Sequence, residues 1–164
     1  MKEVAILLLL TVMLSGCGTK NPVQAGVGGI WQAVLVGGEG QASGLSFNTQ
    51  FTVSGSTLSF STLQFLNNDP GACFPLSPAL SGDSGTADLQ YNSADQLTNS
   101  SVTITVTSGG NTLTLTSISV TGTINTNTNV LSDGVVTGTW VLAGGTGCTG
   151  TGGSFTMTQS ASNI

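Results

Sequence analysis

The sequence predicts an all-β domain: an antiparallel meander of about eight strands, closing into an up-and-down barrel in preference to a β-sandwich. Three observations carry this expectation. Apolar residues alternate with Thr, Ser and Gln at period two through most of the chain, the pattern of half-buried strands. Gly, Asn and Asp separate these runs at short intervals, where a chain reversal needs residues that tolerate positive φ. After residue 17 no stretch keeps a helical period, apart from a single turn near Ser77-Pro78-Ala79-Leu80.

Taken in order, the alternating runs are 30–36, 45–53, 57–66, 86–91, 102–107, 112–120, 135–142 and 154–159. Ser108-Gly109-Gly110-Asn111, between Val102–Thr107 and Thr112–Leu115, is the clearest hairpin turn and makes its two strands antiparallel. Gly55-Ser56 reads as a second hairpin and Ser132-Asp133-Gly134 as a third. The apolar phase slips between Phe60 and Leu63 and between Leu115 and Ile118, as β-bulges in long strands would make it do. Short connections between most neighbours favour a barrel, because a Greek-key sandwich needs long crossovers and 67–85 and 92–100 are the connections long enough. A membrane-spanning barrel should carry Trp and Tyr girdles at both interfaces, and this chain has Trp 2 and Tyr 1.

Composition narrows the function classes. Charged residues make up 5% of the chain and the net charge is −5, with Lys+Arg 2 and His 0. There is no basic patch to meet phosphates, so nucleic-acid binding is set aside. Without His, a Ser-His or Cys-His nucleophile cannot be assembled. The acids Glu39, Asp69, Asp83, Asp88, Asp95 and Asp133 fall in turns or near strand ends and read as solubilising residues. Asp83, Asp88 and Asp95 lie close together in a Gly/Ser/Asn-rich segment, a candidate calcium loop that lacks EF-hand spacing. No cofactor is expected, and the chain reads as non-enzymatic.

The first residues concern location. Leu14-Ser15-Gly16-Cys17 follows the apolar run 4–14 directly. That run is well short of the roughly 17–25 residues a spanning helix needs. The four residues match the lipobox at every place, so the chain resembles a bacterial lipoprotein. The resemblance implies a signal peptide over 1–16, cleavage before Cys17 and acylation of Cys17; residues 17–28, Gly/Pro-containing and without periodicity, then read as the lipidated Cys and a flexible tether, and 29–164, of typical length for one domain, as a single β domain. It implies attachment to a membrane through lipid alone, which two or more acyl chains make stable. Gly18 stands where an Asp would hold a Gram-negative lipoprotein at the inner membrane, which implies the outer membrane, on its periplasmic or surface face.

With Cys17 acylated, Cys73 and Cys148 remain, an even pair in an exported chain, and they are read as one disulfide. Closing a loop of that length is worth roughly 4 kcal/mol in the chain-entropy treatment. A zinc-type site is disfavoured because two thiolates without any His leave such an ion short of ligands.

Gly29-Ile30-Trp31 opens the β domain where lipocalins and related calycin barrels carry Gly-x-Trp, a resemblance over three residues. Lipocalins pair that Trp with a late Arg, and this chain has none. Gly138-Thr139-Trp140 with the following Gly144-Gly145-Thr146-Gly147 echoes Gly29-Ile30-Trp31 with Gly37-Gly38-Glu39-Gly40. Trp31 and Trp140 are then either core plugs beside a Gly that makes room for them, or the lining of a pocket at the barrel mouth. The sequence supports a lipid-anchored cell-envelope module that works through structure or through an envelope protein partner. A barrel binding a small apolar ligand, lipocalin-like, is the alternative.

Overall fold

The computed structural model describes residues 29–40, 44–66, 73–78, 83–128 and 130–160. The lipobox with Cys17, the tether and Asp69 lie outside the described residues, as do residues 161–164. The strands are β1 (Ile30–Val36), β2 (Glu39–Gly40), β3 (Ser46–Ser54), β4 (Thr57–Phe65), β5 (Ser84–Asp88), β6 (Ser101–Ser108), β7 (Asn111–Asn125), β8 (Val130–Ala143) and β9 (Gly150–Ser160). No helix occurs among the described residues. Every pairing is antiparallel and follows chain order, β1-β3-β4-β5-β6-β7-β8-β9. The ladder of β1 with β9, from Ile30↔Ser160 to Val36↔Ser154, closes the sheet on itself. The result is an eight-stranded up-and-down barrel rather than a sandwich. Two-residue β2 continues β1 along β9 after a bend at Gly37 (φ 64) and Gly38 (φ 80).

Two of the three expected hairpins form as read. Gly109 (φ 60) and Gly110 (φ 82) take both positive-φ positions between β6 and β7, and Gly55 (φ 60) does the same work between β3 and β4. The third does not form. Asp133 and Gly134 lie inside β8, opposite Gly122, where Thr121 pairs with Val135 and Thr123 with Ser132. An Asp-Gly dipeptide with Asp133 at φ 53 marks a bulge as readily as a turn. The reversal falls instead at residues 126–128, where Asn125 Oδ1 accepts the N–H groups of Asn127 at 3.0 Å and Thr128 at 3.1 Å. Both expected bulges are present. Ser61 is the extra residue of β4 between Phe60 and Thr62, and Ile118, 77% exposed, is thrown outward where Ser117 and Ser119 pair with Gly138 and Thr137. The run read as 86–91 ends early: β5 stops at Asp88 and residues 89–98 fold under the barrel.

Alternation sorts the side chains. Inward go Trp31, Ala33, Leu35, Phe47, Phe51, Ile104, Val106, Leu113, Leu115, Phe155 and Met157, all buried. Outward across β6 and β7 go the facing pairs Thr103↔Thr116, Thr105↔Thr114 and Thr107↔Thr112, whose branched side chains support one another across strands. An apolar inside with a hydroxyl-bearing outside is the reverse of a membrane-spanning barrel, whose apolar band faces lipid.

Both mouths are covered. At the end where β1 begins, residues 89–98 dock on β7 through Leu97 N–H to Gly122 O at 2.9 Å and Ile124 N–H to Asp95 O at 2.7 Å, burying Leu89 and Leu97. At the other end, residues 73–78 lie over the tops of β4 and β6. Phe74 stacks on Phe65 with ring centroids 4.8 Å apart, and Phe65 N–H donates to Leu76 O at 2.8 Å.

Candidate functional site

The site candidates Cys73, Cys148, Trp31 and Trp140 are within the described part, as are Asp83, Asp88 and Asp95 of the candidate calcium loop. Cys73 and Cys148 form the disulfide, with Cα atoms 5.5 Å apart. It ties the 73–78 strap to the loop between β8 and β9. Asn111, read from sequence only as a turn residue, completes the junction: its Nδ2 donates to Cys73 O at 2.7 Å and its Oδ1 accepts Gly145 N–H at 3.2 Å. The strap, the β6–β7 turn and the β8–β9 loop are thereby one rigid corner. No sequence signal marks Asn111 for this role, because an Asn after Gly-Gly fits a hairpin equally well.

The structure does not bring the two tryptophans together. Trp31 sits near the start of β1 and Trp140 near the end of β8, at opposite ends of the barrel, and both are fully buried. Each is a core plug with a glycine making room, but the glycine is not the one beside it in sequence. A methyl on Gly134 would overlap the Trp31 indole, and one on Gly153 would overlap that of Trp140. Gly153 is the ladder partner of Trp140, whereas Gly134 lies on β8, two strands from Trp31 with β9 between them, so the Trp31 indole reaches across the interior past β9. Trp140 Nε1 donates to Val36 O at 3.3 Å. Trp31 stacks on Phe51 at 5.4 Å, and its Nε1 has no hydrogen-bond partner among the described residues.

The interior around Trp31, Phe51, Val53, Leu89, Val102 and Val136 leaves about 10 Å³ of space, no more than one water could occupy. A drug-sized or lipid-sized ligand needs hundreds of cubic ångströms. Three larger hollows lined by described residues are open clefts on the outside. One of about 480 Å³ includes Glu39 and Val141; one of about 360 Å³ includes Asp133; one of about 340 Å³ includes Asp95. Each holds a single carboxylate, where glycoside hydrolysis needs two flanking the bond.

The acids of the candidate calcium loop point to different neighbours. Asp83 Oδ1 accepts Thr107 N–H at 3.1 Å, and Asp88 Oδ2 accepts from Gln90 at 3.0 Å. Asp95 belongs to the cap at the opposite end from Asp83. Among the described residues no three Asp, Glu, Cys or His groups gather as metal ligands would. Asp83 Oδ2 is buried with no hydrogen-bond partner among the described residues, and that burial pushes its carboxyl above the ordinary value, against the opposing effect of the Thr107 hydrogen bond. Neither protein-family models, nor curated proteins, nor solved structures give a match to this chain.

Proposed function

We propose that this chain is a lipid-anchored cell-envelope protein without catalytic activity, whose barrel works through its outer surface on a protein partner. The single observation that carries the reading is the packed interior among the described residues, where the space around Trp31 is about 10 Å³ and too small for cargo. The Leu14-Ser15-Gly16-Cys17 motif supports acylation at Cys17 and, with Gly18 following, an outer-membrane destination. One carboxylate per cleft and a chain without His support the absence of catalysis.

The tether would enter at Gly29, at the end capped by residues 89–98. We infer a link of about 11 residues that, if it behaves as an unstructured chain, would reach on the order of 15–20 Å, so the disulfide-pinned end would stand away from the bilayer. Palmitate labelling and membrane fractionation of wild type and Cys17→Ala, with in-cell crosslinking of both, test the reading. Wild type should label, sediment with membranes and crosslink to an envelope protein, and Cys17→Ala should lose the first two. A Cys17→Ala variant that still labels refutes the anchor. Stoichiometric uptake of a fluorescent fatty acid by the folded protein would favour the ligand-binding barrel instead.

A further inference from the structure

Asp133-Gly134 is the one Asp-Gly dipeptide of the chain, and no Asn-Gly occurs. In such a pair the glycine amide nitrogen can attack the side-chain carboxyl before it, because no Cβ shields the nitrogen and the backbone turns easily there. Asp133 is exposed and Gly134 is buried. Asp133 stands at φ 53, in the left-handed region that residues with a side chain rarely adopt. The two residues are bulged against Gly122 alone, between Thr121↔Val135 and Thr123↔Ser132.

Gln159 on β9 holds the nitrogen that would react. Its Oε1 accepts the Gly134 N–H at 3.1 Å and its Nε2 donates to Leu131 O at 2.8 Å, so one side chain pins β8 on both sides of Asp133. Both bonds are additional to the strand ladder. Attack needs that N–H to release its proton, and it needs Asp133 Cβ and the amide nitrogen to eclipse about the Cα–C bond, as a five-membered ring requires. Rotation there swings Gly134 out of its place against Trp31, where even a methyl would overlap the indole. Trp31 is itself fully buried, and about 10 Å³ lies free beside it. In the closed barrel the reaction is therefore held back at the nitrogen and at the rotation.

We propose that Asp133 is a site of spontaneous isoaspartyl modification, gated by Gln159 and reached only when the β8 bulge parts from β9. The Gly134 nitrogen bonds to Asp133 Cγ, and the carboxyl hydroxyl leaves as water with the amide proton. Water then opens the resulting succinimide at either carbonyl. Attack at Cγ restores aspartate; attack at the main-chain carbonyl leaves the chain running through Cβ and Cγ, one atom longer, with a free carboxylate on Cα. β8 already carries an extra residue at this point, so a lengthened bulge cannot return Gly134 to Gln159 and Trp31 together. The modification thus fixes the open form of the β8–β9 seam at the end where β1 begins. The step requires neither an anchor nor a partner, and so goes beyond the surface-docking reading.

The test is incubation of the protein, purified as the cell makes it, in heavy-oxygen water at neutral pH, followed by peptide mass spectrometry. Each succinimide hydrolysis leaves one heavy oxygen at residue 133, and fragmentation separates the two linkages. The folded wild type should take up label about a hundredfold more slowly than the urea-unfolded chain, because local opening must come first. Gln159→Met removes both hydrogen bonds while keeping the bulk, and should label about tenfold faster than folded wild type. Gln159→Glu keeps an acceptor for Gly134 N–H and should stay within about threefold of wild type. Equal uptake by the folded and unfolded chain, or by folded wild type and folded Gln159→Met, overturns the gate. An unfolded chain that takes up no label overturns the site itself. Should Gln159→Met not fold, wild type in graded urea decides: Gly134 N–H exchange and label uptake should rise together, and uptake that stays flat while Gly134 exchanges overturns the proposal.

Discussion

Gly153→Ala tests how tightly Trp140 is held. The indole lies flat on β9, so a methyl at 153 overlaps its Nε1 edge, while Gly150 would contact its other edge at 2.9 Å. Trp140 is fully buried, and the ring cannot back away without leaving Val36 O. Overpacking of a dense core costs about 1–3 kcal/mol, and losing the indole hydrogen bond about 1 more. The expected destabilisation is therefore about 3 kcal/mol. With a urea m-value of about 2 kcal/mol/M, that lowers the denaturation midpoint by about 1.5 M. Gly145→Ala is the control, because nothing lies within 4 Å of its methyl position and its φ is not in the left-handed region. It should change stability by less than about 0.5 kcal/mol. Adding Trp140→Phe should recover part of the Gly153→Ala loss, since the smaller ring leaves space for the methyl. Equal midpoints for Gly153→Ala and Gly145→Ala would refute the packing argument.

The remaining expectations follow from the ends of the barrel. Replacing Cys73 and Cys148 by Ala opens a loop with a sequence separation of 75. It should cost about 2–5 kcal/mol in urea unfolding; a midpoint unaffected by the double substitution would mean that the strap is held without the disulfide. Burial raises the Asp83 carboxyl above 3.8 in the folded state. The fold thus binds that proton more tightly than the unfolded chain, and its contribution is present below pH 3.8 and lost as pH rises through the raised value. Asp83→Asn keeps an acceptor for Thr107 N–H, so it should remove this decline and be the more stable form at neutral pH; parallel midpoint-versus-pH curves would count against it. A chelator should leave the thermal midpoint unchanged, since Asp83, Asp88 and Asp95 do not meet; a drop would restore a cation site.

Sequence by itself determined the class of fold. Period-two alternation decides which side chains face inward, and Gly-Gly or Gly-Ser between two runs leaves an antiparallel reversal as the economical path, so strands, two hairpins and both bulges were legible from local pattern. The pairing of Cys73 with Cys148 was legible on the lipobox reading, which sets Cys17 aside and leaves two of the three cysteines. Only the tertiary structure decided the rest, because the deciding neighbours lie on other strands. Asp133-Gly134 is a bulge and not a turn because Gly122 stands opposite it, which no local signal states. Trp31 takes its room from Gly134, two strands away, and Trp140 from Gly153 across the ladder, rather than from Gly29 and Gly138 beside them. Whether the interior holds a pocket depended on how residues 73–78 and 89–98 cover its mouths.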